Sequence, residues 1–167
     1  LYSSGYKFLE ASLIIASSYN VSSLPILSKL QKGKREIFID KIKRDFLFVA
    51  AIGWVFASLL FFLAPTALPI VLPGTYWQSI KVLQIVIFSL PFILATSVFL
   101  NSLYVLGKQS LVVFIFLFQA IFNFILNYLL IPRYSYFASA YITLMGEILN
   151  AVISFLILKK VLYENKH

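Results

Sequence analysis

The sequence predicts an all-α, multi-pass transmembrane helical bundle of about five helices, and three observations carry that prediction. Of the 167 residues, 61% are hydrophobic and 12% charged, where a soluble domain runs near about 45–50% and about 25%. The apolar residues gather into five runs, each about as long as or longer than the roughly 20 residues that cross a bilayer. The 14 Lys and Arg residues are concentrated rather than spread: seven lie between Lys29 and Arg44, in one block between two apolar runs. That is the placement of a cytoplasmic loop. The composition excludes a disordered chain, a disulfide-rich secreted domain and an ordinary soluble enzyme. With no Cys and a single His at position 167, thiolate and imidazole metal sites and a His-based triad have nothing to form from. No cofactor is expected. A net charge of +8 would point to nucleic acid in a soluble chain; confined to a loop between spans it reads as a topology signal, so no nucleic-acid partner is expected.

The five candidate spans are A (Phe8 to Leu27), B (Phe46 to Leu63, extendable toward Leu72), C (Trp77 to Leu106), D (Leu111 to Ile131) and E (Tyr136 to Leu162). Each is read as a helix because a single span in lipid must satisfy its own backbone. Span A carries Glu10, Asn20 and several serines. The A–B connection, residues 29–45, is either a solvated basic loop or an amphipathic helix at the inner surface, with Phe38, Ile39, Ile42 and Phe46 on its apolar side. The B–C connection carries Pro65, Pro69 and Pro73 at a four-residue spacing, which predicts an interruption of the helix there. Tyr76 and Trp77 follow as interfacial aromatics. Pro91 lies inside span C and predicts a kink. Gly107-Lys108 and Pro132-Arg133 mark tight C–D and D–E turns. Alternate connections are rich and poor in Lys and Arg, so the chain is expected to enter span A from outside and to end inside; Arg133, on the outer side, dissents. The absence of a leader-like start, with Leu1 rather than Met first, reads as the C-terminal part of a longer chain.

Polar residues inside apolar spans are candidates for function, since each costs free energy in lipid. On span E, Thr143, Glu147, Asn150 and Ser154 are spaced by four, three and four, within a stripe about 60° wide. The stripe either lines a cavity or interdomain face, with Glu147 as its charged member, or glues helices together. On span D, Gln119, Asn123 and Asn127 recur every four residues and share a face. A tight D–E turn makes these helices antiparallel, so the two polar faces are expected to meet each other or a shared aqueous path. Span C offers Lys81, Gln84, Ser89 and Asn101; Lys81 either snorkels to the surface or lines a path as a phosphate-attracting cation. Glu10 sits near the outer end of span A. No phosphate loop, Ser/His/Asp set or paired carboxylates appear, so the chain is not expected to be an enzyme.

Laid out in this order, the chain resembles the C-terminal half of polysaccharide flippases, the O-antigen and lipid-linked oligosaccharide branch of the multidrug/oligosaccharidyl-lipid/polysaccharide exporter superfamily. The resemblance rests on Asn123-Phe-Ile-Leu-Asn127-Tyr-Leu-Leu-Ile131-Pro132-Arg133-Tyr134, followed by Ala138, Ala140, Thr143 and Glu147. Ser135 stands where the family usually has Gly, and Ser139 where it usually has Ala. Tyr2-Ser-Ser-Gly-Tyr6-Lys7, Leu24-Pro25-Ile-Leu-Ser28-Lys29-Leu30 and Leu103-Tyr-Val-Leu-Gly107-Lys108 also fit in order and spacing. Val71-Leu72-Pro73-Gly74-Thr75-Tyr76 replaces the usual Leu-Phe-Gly-x-x-Tyr. The resemblance implies that residues 1–167 form half of a twelve-helix, two-bundle transporter. It would flip lipid-linked oligosaccharide across a bacterial or archaeal inner membrane by alternating access. The implied partners are that lipid, membrane lipids, the N-terminal bundle of the same chain and glycan-assembly proteins. The competing readings are a multidrug or small-molecule exporter of the same fold and a non-transporting membrane scaffold subunit.

Overall fold

The computed structural model describes the backbone of residues 2–71 and 77–164, with side chains except at 2–12, 15, 16, 67, 68, 70, 71, 77–79 and 136. Among the described residues the chain is an all-α bundle of five helices in the order α1 (Tyr2–Gln31), α2 (Arg35–Val71), α3 (Trp77–Val86) running on into α4 (Leu90–Val105), and α5 (Gln109–Glu164). We count α3 and α4 as the one helix of span C and divide α5 at Ser135 into two arms, α5a (Gln109–Ser135) and α5b (Phe137–Glu164). Among the described residues, four stretches are long and apolar enough to cross a membrane: Arg35–Thr66, Ile80–Val105, Gln109–Ser135 and Phe137–Glu164. Helix α1 is not among them; Ser17, Ser18, Asn20, Ser22, Ser23 and Ser28 dilute its apolar residues.

Span C is the middle of the bundle. Of its most apolar stretch 67% is buried, against 17% in α2, 11% in α5a and 33% in α5b. Helix α4 packs against α1, α2 and α5, and Leu90, Leu94, Val98 and Leu103 are fully enclosed. Helix α2 presents one stripe to it, Phe38, Ile42, Asp45, Val49, Gly53, Ala57 and Ala64, at the spacing of three, four or seven that keeps one helix face inward. Its other side leaves Leu47, Phe48, Val55 and Phe62 exposed. On α5a Phe114, Phe116, Phe124 and Tyr128 are likewise exposed. Apolar surface on this scale is unlike that of a soluble monomer and suits helices solvated by lipid.

The prolines act differently from the sequence expectation at one place and as expected at another. Helix α2 does not stop at Pro65; it continues through Pro65 and Pro69 to Val71. Pro65 has no N–H for the Phe61 carbonyl four residues back, but the Gln84 amide of α3 donates to that carbonyl at 3.3 Å. The vacant bond is replaced from a neighbouring helix, so the helix persists. Residues 72–76, with Pro73 and Tyr76, lie outside the described residues. Pro91 does break span C: Ile87–Ser89 form a 3₁₀ turn ahead of it, and the Leu90 N–H takes up the Ile87 carbonyl that Pro91 cannot serve.

The connections are short. Residues 32–34 join α1 to α2, so 35–45 are the first turns of α2, with Phe38 and Ile42 packed inward. The C–D turn is closed by Gly107 at φ 73°, with Lys108 N–H on the Leu103 carbonyl at 2.9 Å and Gly107 N–H on that of Tyr104 at 3.0 Å. This is a Schellman cap, for which glycine is favoured because it lacks a Cβ. At the D–E turn Ser135 has φ 57° and ψ −155°, a region nearly reserved for glycine.

Candidate functional site

The polar faces of α5a and α5b meet. Ser139 donates to Asn127 Oδ1 at 3.1 Å. Gly146 lies against Gln119 and Asn123, whose amide nitrogens would be 2.9 and 3.3 Å from a Cβ at that position. Both pairings fold the arms back on each other about residue 133, so the hairpin is antiparallel. Gly146 makes the approach possible by having no side chain. The Asn123 and Asn127 amides also donate to the carbonyls of Gln119 and Asn123, at 3.1 and 2.8 Å, and Thr143 donates to the Ser139 carbonyl at 2.9 Å. Much of the amide stripe therefore acts as interhelical and intrahelical glue.

The stripe on α5b continues inward. Glu147 is half-buried, one turn before Asn150 on the same face of α5b. Asn150 and Ser154 are buried, and Asn150 Oδ1, Ser154 Oγ, Gln119 Oε1 and Thr96 Oγ1 of α4 have hydrogen-bonding capacity that no protein atom uses. In an apolar interior an unused polar atom costs about 1–3 kcal/mol. Several along one hairpin mark this as the polar seam of the bundle.

The other sequence candidates stand apart from this seam. Lys81 is exposed on α3. Gln84 is committed to the Phe61 carbonyl, a structural role. The Glu10 side chain lies outside the described residues. Among the described residues no three His, Cys, Asp or Glu side chains group as a metal site requires.

A second polar cluster was not singled out from the sequence. Asp45, buried on α2, accepts from Lys41 one turn earlier and from the Tyr19 hydroxyl of α1 at 3.1 Å. Ser23 donates to Tyr19 at 2.9 Å. Nearby on α1, Asn20 accepts from Asn101 of α4 at 2.9 Å. A signal was available: Asp45 occupies the inward stripe of α2 between Ile42 and Val49, where an unpaired carboxylate would be costly. Its α1 partner, Tyr19, lies 26 residues away in sequence and was not readable.

At the same end of the bundle a cavity of about 930 Å³ opens between the first turns of α2, Phe99 of α4 and the last turns of α5b. Its wall is apolar, from Ile39, Ile42, Phe46, Phe99, Phe155 and Leu158, and its rim carries Lys34, Arg35, Glu36, Lys43 and Lys159. Phe46 stacks on Phe99 with ring centroids 5.4 Å apart, and Phe99 meets Phe155 at 5.6 Å. The cavity also fixes which ends coincide: the A–B turn and the C-terminal turns of α5b share one end of the bundle. Comparison with family models, with curated proteins and with solved structures finds no match.

Proposed function

We propose that the chain is the C-terminal bundle of an inner-membrane flippase that moves a lipid-linked oligosaccharide to the outer leaflet by alternating access. The observation that carries this reading is the α5 hairpin. It sets Gln119, Asn123 and Asn127 against Ser139 and Gly146 within two apolar helices, in the stretch that resembles the flippases. Two further features support it. Ser135 holds a glycine-type backbone conformation at the position where the family has Gly. Arm α5a stands at the edge of the bundle with 11% of its apolar stretch buried, which leaves a flank for a second bundle.

In this mechanism the polar seam faces the path during part of the cycle and passes the sugar, while Lys81 draws the diphosphate. The basic end of the bundle lies in the cytoplasm. The test is rescue of surface-glycan display in a flippase-null strain by the full reading frame, with membrane abundance checked. Failure to rescue at normal abundance, together with efflux of a cationic dye, would replace the flippase with a multidrug exporter. Single cysteines at Lys34 and Arg133 test sidedness: an impermeant thiol reagent should label only the second from outside intact cells.

A further inference from the structure

We infer that the cavity between α2 and the end of α5b is a binding site for one anionic phospholipid of the leaflet at that end. Helix α2 has 37 residues and is therefore about 55 Å long, far more than the roughly 30 Å of hydrocarbon. Its first three turns, Arg35 to Asp45, carry the charges and stand beyond the apolar stretch. The cavity straddles that boundary. Phe46, Phe99 and Phe155 line it on the side of the apolar stretches, Ile39 and Ile42 line it among the charged turns of α2, and Lys34, Arg35, Lys43 and Lys159 are interspersed with them.

Charge selects the head. The rim bears Lys34, Arg35, Lys43 and Lys159 against Glu36. Asp40 pairs with Lys43 only at 3.9 Å and with both groups largely exposed, so water and salt screen that pair. Shape and polarity select the tail. Beyond the charged rim the lining offers one polar group, the Tyr163 hydroxyl, to orient a sugar, base or peptide backbone, whereas an acyl chain needs only the apolar wall. At about 930 Å³ the space is at the upper end of ordinary ligand cavities, about 300–1,000 Å³. A lipid seated there would fill the wedge between the start of α2 and the end of α5b. The inference concerns a resident lipid and does not depend on which substrate crosses the membrane.

The test uses the full chain purified in neutral detergent, with lipid retention read by native mass spectrometry. Phosphatidylglycerol and phosphatidylcholine with identical acyl chains are offered in equal amounts, and glycerol phosphate serves as the soluble head. One phosphatidylglycerol per chain should be retained over phosphatidylcholine. Each cation near an anionic headgroup is worth about fivefold, so Lys43→Gln with Lys159→Gln should reduce that preference by about twenty-fivefold. Ile39→Trp, which fills the wall, should lose both lipids while its thermal unfolding is unchanged. Equal retention of the two lipids, or a preference untouched by the double substitution, would overturn the site. So would competition by glycerol phosphate as strong as that of the lipid. Displacement by a polyprenyl diphosphate at equal concentration would make it a substrate site and overturn the assignment to a resident phospholipid.

Discussion

The Gln84 side chain donates to the backbone carbonyl of Phe61 at 3.3 Å, and Phe61 is the residue whose carbonyl Pro65 leaves without a partner. One glutamine on α3 thus lets α2 pass through a proline. In lipid-facing helices such a replacement is needed, since no water is at hand to satisfy the carbonyl.

Gln84→Leu should lower stability by about 1–2 kcal/mol, the cost of leaving the carbonyl unsatisfied. In a Pro65→Ala background the restored N–H at 65 serves Phe61, and the same change should cost much less. Equilibrium unfolding of the four variants in detergent gives the coupling. Equal costs in both backgrounds would separate Gln84 from Pro65.

Gly53→Ala should destabilise the bundle by about 1–3 kcal/mol through overpacking. The added Cβ would sit 2.7 Å from Pro91 Cα and 3.1 Å from Pro91 N. Both are backbone atoms and cannot rotate away. Pro91→Ala should therefore give no rescue, because its Cα remains. A Gly53→Ala chain that unfolds at the wild-type temperature would show that α2 and α4 can move apart freely.

Ser135→Gly should stabilise the α5 hairpin by about 1 kcal/mol, by relieving a backbone conformation that costs non-glycine residues about 1–3 kcal/mol. Ser135→Val should do the opposite, because branching at Cβ tightens the clash. Thermal unfolding of both variants decides the sign. A loss of stability on Ser135→Gly would mean that chain entropy in the unfolded state outweighs the relieved strain.

Glu147→Gln keeps the size and hydrogen-bonding capacity of the side chain and removes only the charge. If Glu147 carries a proton or ion in transport, this variant should insert at normal abundance and lose most surface-glycan display, which is the result we expect. Lys81→Ala should weaken handling of the anionic lipid without altering pH dependence. Complete rescue by Glu147→Gln at normal membrane levels would reduce Glu147 to packing.

The helices themselves were legible because their signals are local. Apolar runs of membrane length, the Gly107-Lys108 cap and Pro91 each act within a turn or two of the chain. The amide stripe of Gln119, Asn123 and Asn127 was legible as a face, and a tight D–E turn leaves it little choice but to meet α5b. Tertiary structure decided what hydropathy is blind to. Spans B and C are nearly equal in hydropathy, 2.5 and 2.2, yet 17% and 67% buried, because lipid and protein interior both accept apolar side chains. It decided that Pro65 sits inside a helix, through an amide 19 residues later in the chain. It decided that Asp45 faces Tyr19, and that Phe46, Phe99 and Phe155, from three helices, close one wall of a cavity. A polar group excluded from water takes whichever partner packing brings near, and packing depends on residues that the sequence keeps far apart.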